Sequence, residues 1–307
     1  MVGIDVGEDF LDIAALTPKS RYLRLTRIDL RNCADASAGR SPRSNRDKNA
    51  VSLLATMLTD KVCELRGAIA LVDSPRWPSD LDWSKRGMVA ATHPKRGREI
   101  DVRLRALVVK LRELGAPLPL LAMFPTPPMR YFGAHLNAAA CKAHLRMFGE
   151  ALFGDALNRD YGPASGGIFT RFMIAGFATY RALEAIGAKT YECYPDLQFR
   201  LWRRHHQLVA KNSPSGKTAA LASRIRVLSA LARRLGVCGF PPIQRLDEAD
   251  AAILALSIIA GHQHGATLVL ENPCEGRFVV AMDEAEAKLL HHVTCVTAST
   301  KFQLSRW

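Results

Sequence analysis

Gly3–Leu16 reads GIDVGEDFLDIAAL, and the interpretation of this stretch decides the fold. Val2–Gly7 is apolar and rich in β-formers. A tight Gly7-Glu8 turn follows, and Asp9–Leu16 resumes the apolar pattern, which suits a hairpin. Inside the first strand stands Asp5. A carboxylate in a buried strand is costly unless a cation, a set of hydrogen bonds or a metal compensates it. Glu8, Asp9 and Asp12 read as residues of the turn or of an open face of the second strand.

Working outward, Tyr22–Leu30 (YLRLTRIDL) alternates apolar and polar residues, the period of a half-exposed strand. A polar, basic loop occupies 32–49. From Ala50 to Arg66 apolar residues fall at helical spacing, and Gly67 closes that helix. GAIALVDSP then reads as a buried strand ending at Asp73. Three strands on short connections form an antiparallel meander, and the helix allows a crossover that sets the fourth strand parallel to the first. This is the opening of a ribonuclease H-like sheet and also of an actin-like kinase domain. The topology alone does not decide between the two; the expected fold class is α/β, a mixed five-stranded sheet, three antiparallel strands then parallel ones, flanked by helices, ribonuclease H-like in the first of these readings.

The expected organisation is a single domain over 1–281, with its core at 1–75 and 162–281. Residues 76–161 read as a basic helical insertion or lid, and 282–307 as a C-terminal extension. Within the insertion Arg98–Leu114 has helical character, and the proline-rich Ala116–Pro128 cannot be regular helix. After GPASGG (Gly162–Gly167), helices are expected over Ile168–Ile186, Leu197–Ala210, from Pro214 to Gly236, and Leu246–Gly261. AKTYECYP carries a short strand with Glu192, and TLVLENPCEGRFVV reads as strand, turn, strand.

The chain has 307 residues, 48% hydrophobic, and a net charge of +13. That is enough for a substantial core, and the basic excess favours polyanionic partners, nucleic acid first. Seven cysteines show no C-x-x-C pair, which argues against a disulfide framework or a cysteine zinc site. No leader-like segment precedes Gly3 and no apolar run is long enough for a bilayer, so the expectation is a cytoplasmic protein that uses no membrane.

Carboxylates stand where core residues are expected at Asp5, Asp73, Glu192, Asp247 and Asp250. Asp247 and Asp250 lie three apart at the head of an apolar helix and share a face. Each has a plainer reading: Asp73 can cap a turn, Asp247 can cap its helix, and Glu192 can pair with an arginine. Together, converging buried carboxylates repel one another and become tolerable around divalent cations. Such a cluster can hold two Mg²⁺ or Mn²⁺ about 4 Å apart across a phosphodiester. In this reading Asp5 bridges both ions, with Asp73, Asp250 and either Glu192 or Asp247 completing the shells.

GIDVG, LVDSP, YECYP and DEADAAILAL together resemble domain-of-unknown-function family 429, whose members are read as nucleases of the ribonuclease H-like superfamily. The D-x-x-D helix at Asp247 and Asp250 is similar to the last helix of RuvC-type Holliday-junction resolvases. Asp73-Ser74-Pro75 and Glu192-Cys193-Tyr194-Pro195 fit the family's second and third motifs, and Arg98 and Asp101 match its Arg-x-x-Asp segment. The stretch between Pro75 and Arg98 is longer and more basic than the family pattern, and the tail beyond Ala281 is extra. The resemblance implies a metal-dependent nuclease, with catalytic Asp5, Asp73, Glu192 and Asp250 and metal ligands Asp5, Asp73, Asp247 and Asp250. Two other readings stay open: a catalytically inactive module that binds nucleic acid or protein, and an actin-like phosphotransferase.

Lys85, Arg86, Lys95, Arg96, Arg98 and Arg103 crowd the insertion and are the main candidates for contacts to DNA or RNA phosphates. A second cluster, Arg200–Lys211 around Trp202, reads as a solvated helix face with Trp202 in the core, or as a base-stacking site. SPSGKTAA lacks the first glycine of a P-loop and follows a helix, which excludes that motif; Lys217 within it remains a phosphate-binding candidate. The paired histidines lack zinc-site spacing. The insertion or the tail could also hold a second copy or a partner protein.

Overall fold

The computed structural model describes residues 1–7, 9–17, 21–31, 43–62, 65–74, 76, 109, 112–113, 115, 167–272, 276–285, 287–288 and 303–305. Its strands are β1 (Val2–Val6), β2 (Phe10–Leu16), β3 (Leu23–Asp29), β4 (Ile69–Asp73), β5 (Lys189–Glu192), β6 (Gly265–Asn272), β7 (Gly276–Asp283) and β8 (Gln303–Ser305). Its helices are α1 (Arg43–Lys61), α2 (Gly167–Ala185), α3 (Pro195–Trp202), α4 (Gly216–Arg234) and α5 (Leu246–His264). No helix of the described residues is long and apolar enough to cross a membrane.

The strands form one mixed sheet in the order β3-β2-β1-β4-β5-β7-β6-β8. β1 and β2 are antiparallel, as are β2 and β3, while β1, β4, β5 and β7 run parallel. The meander and crossover therefore take the expected form. The sheet has eight strands rather than five. β6 and β7 close a hairpin onto β5, and β8 adds a strand to β6 from the segment read as an extension. The short apolar runs at 265–283 carry enough β-branched and aromatic side chains to be buried sheet.

β1 is buried on both faces, and its alternation assigns each face. Val2, Ile4 and Val6 pack with Leu54, Leu58 and Val62 below α1 and with Phe172 and Phe177 of α2. Gly3 and Asp5 face the other way, toward α5. A Cβ on Gly3 would sit 2.1 Å from the Ala251 carbonyl oxygen and 2.5 Å from the Ala255 nitrogen. The α5 backbone thus lies directly on β1, at a separation only glycine permits. α5 is buried nearly all round, because α3, α4 and β7 cover its remaining faces; this accounts for its continuous apolar sequence.

Three helix boundaries differ from expectation by five residues or more, one of them the end of α1 at Lys61 rather than Arg66. α1 begins at Arg43, inside the segment read as loop. α3 stops at Trp202 rather than Ala210, and Arg204 takes a left-handed conformation with φ of 49° just beyond it. Residues 203–215 form a connection instead of helix.

Replacing Gly3 by Ala is expected to destabilise the fold by about 3 kcal/mol or more, because backbone rather than a flexible side chain must yield. Urea denaturation checks this: an unchanged midpoint contradicts the close approach of α5 to β1.

Candidate active site

The register of the sheet builds the floor of the site. Asp5 stands opposite Asp12 on β2 and opposite Asp73 on β4. Partnered residues share a face, so three aspartates form a row on the side covered by α5. All three are buried. From above, α5 adds Asp250, one residue before the Ala251 carbonyl that rests on Gly3, and also buried. Asp247, one turn earlier, is 39% exposed and lies 3.8 Å from Arg27.

Burial is the main reason that Asp5 holds its proton well above the usual carboxylate range, with Asp250 and then Asp73 adding to the effect. Asp250 is raised to about 6, again chiefly by burial, although Lys211 opposes the shift. Asp247 is raised for the same first reason. Asp5, Asp73 and Asp250 therefore share one electrostatic neighbourhood.

Their counter-charges come from separate elements. The Lys211 ammonium donates a hydrogen bond to Asp250 Oδ2. Burial works against the charge on Lys211, but Asp250 and Asp5 outweigh it and hold the ammonium above its ordinary pKa. Arg224 is fully buried: its Nη2 donates to Asp196 at 3.0 Å and its Nη1 to the Val209 carbonyl at 3.0 Å. Its Nε lies 3.7 Å from Asp250 Oδ1. Neither that Nε nor that Oδ1 has a hydrogen-bond partner.

Asp12 corrects the reading of the second strand. It is 1% exposed and accepts two bonds from Arg27, Nε at 2.9 Å and Nη2 at 2.5 Å, with Arg245 3.4 Å away. β2 is covered on both faces, so the alternation that leaves a polar face open in an edge strand does not apply here.

Glu192 is buried, but its register partner is Val72 rather than Asp73. It has the parity of Val72, which belongs to the α1 and α2 face, so it does not join the aspartate row. Trp202 is buried in the core between α3 and α4 and offers no stacking platform. Lys217 is exposed on the first turn of α4. Lys85, Arg86, Lys95, Arg96, Arg98, Asp101 and Arg103 lie outside the described residues.

An open cleft of about 340 Å³ lies over Asp73 and Asp250, and its wall includes Arg200, Arg203, Lys211 and Asn212. Lys211 reads in sequence only as the end of the basic cluster Arg200–Lys211, and its place beside Asp250 is what the sequence pattern missed. It stands in the connection after α3, which helical periodicity wrongly carries to Ala210. The chain is pinned there because Val209 is held at both polar groups: its N–H donates to Ser223 Oγ at 3.1 Å, and its carbonyl accepts from Arg224. The signal available in sequence was a lone lysine between a basic helix and the serine-rich start of the next one.

The donor chemistry suits a hard divalent cation, since carboxylate oxygens are what Mg²⁺ and Mn²⁺ prefer and Asp250 Oδ1 lacks a hydrogen-bond donor. Among the described residues, however, no group of three His, Cys, Asp or Glu side chains is already arranged to hold an ion. One of the two Asp250 oxygens, Oδ2, is engaged by Lys211 instead.

With Asp250 at about 6 in the folded protein against 3.8 for a free side chain, the native state binds more protons than the unfolded chain between roughly pH 4 and pH 6. This contribution to stability therefore falls as pH rises through that window, by about 3 kcal/mol in all, and is level above it. Asp250→Asn lacks the titration. In chelator, its stability relative to wild type is expected to improve as pH is raised from 4 to 7; urea midpoints that track in parallel contradict the assignment.

No protein-family model matches the chain, and no curated protein or solved structure matches it, so the site stands on its own geometry.

Proposed function

We propose that this protein is a divalent-cation-dependent phosphodiester hydrolase acting on nucleic acid, built on a ribonuclease H-like core. The observation that carries the reading is the meeting of Asp5, Asp73 and Asp250 beneath an open cleft with a cationic wall. The strand order β3-β2-β1-β4-β5, with antiparallel strands passing to parallel ones, supports the same reading. The resemblance of the four motifs to family 429 agrees with it, and so does the net charge of +13.

In this mechanism Asp5, Asp73 and Asp250 hold Mg²⁺ or Mn²⁺, and Asp247, at the lip of the site, shares in the negative field. The bound cation supplies a Lewis acid for the phosphate and a water of lowered pKa. Arg203, in the cleft wall, pairs with no carboxylate among the described residues and is placed to take a phosphate oxygen. Arg200 also lines the cleft and donates to Asp196 at 2.9 Å, an arrangement that fixes the wall relative to Arg224. Phosphate contacts of this kind hold a strand without reading its bases.

One observation favours a second reading. Lys211 already neutralises Asp250 in the absence of metal, as suits a catalytically inactive module that binds nucleic acid in the same cleft.

Incubation with single-stranded, duplex and branched DNA and RNA, with Mn²⁺ or Mg²⁺, separates the two. Wild type is expected to cleave at least one class. Asp5→Asn and Asp250→Asn are expected to lose more than about 100-fold, beyond the range seen when only outer partners of a metal site are removed. Equal cleavage by Asp5→Asn overturns the enzymatic reading. Salt-sensitive binding with no cleavage selects the module.

A further inference from the structure

Asp250 has two cations beside it, and they differ in what holds them. Arg224 is fully buried, and its other nitrogens are committed to Asp196 and to the Val209 carbonyl. Moving it would break its bond to the half-buried Asp196 and release the connection after α3. Among the described residues Lys211 has one side-chain ion-pair partner, Asp250, and its side chain is 40% exposed and lines the cleft. Its backbone lies in a turn closed by the Ser213 N–H on the Ala210 carbonyl at 3.0 Å, two residues beyond the clamped Val209, so the side chain can swing while the connection stays in place. The ammonium is paired with the Asp250 carboxylate in the cleft wall, and among the described residues the buried carboxylates are not otherwise gathered into an ion site.

We propose that Lys211 is the resident cation of this site: it occupies the Asp250 carboxylate when no divalent cation is bound and must leave for one to bind. This rests on the reading that Asp5, Asp73 and Asp250 take such a cation. An ammonium and a divalent cation on one carboxylate in a poorly solvated pocket repel each other strongly, so lysine and metal compete for Asp250. Every metal-binding event then carries the cost of breaking the Lys211 pair, and removing the ammonium lifts that cost. A displaced ammonium would still lie along the cleft wall near Arg203, on the side where a phosphate enters.

The test is Mn²⁺ titration by calorimetry, together with the Mn²⁺-induced shift in thermal unfolding, on wild type, Lys211→Met, Lys211→Arg and Asp250→Asn. Lys211→Met leaves the length and apolar stem of the side chain nearly intact and is expected to bind Mn²⁺ about tenfold more tightly than wild type or better. Without metal it is expected to melt lower, since Asp250 loses its partner, and to recover most of that loss when Mn²⁺ is added. Lys211→Arg keeps the charge and is expected to bind no more tightly than wild type, which separates charge from a general loosening of the connection. If Lys211→Met fails to fold without metal, the Lys211→Arg and wild-type affinities still decide: tighter binding by the arginine variant contradicts competition by charge. Equal affinity in wild type and Lys211→Met, both lost in Asp250→Asn, overturns the role of Lys211 and leaves the metal site standing. Absence of Mn²⁺ binding in all four proteins overturns both.

Discussion

The contact on which the structure depends is the seating of α5 against β1 at Gly3. A side chain there would strike the Ala251 carbonyl. Because it is absent, the helix axis comes down onto the centre of the sheet, and the residue just before that carbonyl is Asp250. The position of one carboxylate over the aspartate row is therefore a consequence of backbone packing. The same constraint makes α5 apolar on nearly every side, since a helix this deep must be covered by α3, α4 and β7 as well as by the sheet.

A row of like charges in a core is unstable by itself, and the protein answers it by dividing the cations. Asp12 is taken by Arg27 and approached by Arg245, both from outside the cleft. Asp196 is taken by Arg200 and Arg224. These arginines give planar, multiple hydrogen bonds that fix neighbouring elements: β3 to β2, and α4 to α3. Asp250, by contrast, has a lysine on its cleft side, a compact charge on a flexible stem. The residue types differ in hold: the arginines bind their carboxylates or backbone partners through several nitrogens, the lysine through one ammonium.

Much of this was legible before any coordinates. Asp5, Asp73 and Asp250 could be picked out because each interrupts an apolar run with a charge, and the strand order followed from the short connections of 1–30 and the helix before Ile69. What failed did so for identifiable reasons. Asp12 was assigned to an open face because Leu11, Ile13 and Ala15 mark one buried side; nothing local reveals that Ala14 and Leu16 are buried against α5 as well. Glu192 has the right residue type and order, but register is a property of pairing, and its pairing with Val72 turns it away from the row. The sheet is wider than five strands because the strand-turn-strand at 267–280 pairs onto β5 in the same sheet, which is a matter of pairing rather than of local pattern, and because β8, only three residues long, adds to β6.

Lys211 is the most instructive miss, because its position is created by a helix ending early. Apolar spacing continues past Trp202, so periodicity carries α3 onward. The chain instead turns at Arg204, and α4 grips Val209 by both of its polar backbone groups. Those two bonds come from Ser223 and Arg224, neighbours on α4, and Arg224 is also the residue that reaches toward Asp250 from behind. A single buried arginine thus lies behind Asp250 and, through Val209, fixes the place from which Lys211 approaches. Exchange of the lysine for another cation would leave this frame untouched. The chemistry above Asp250 can change without any rearrangement of the elements that hold it.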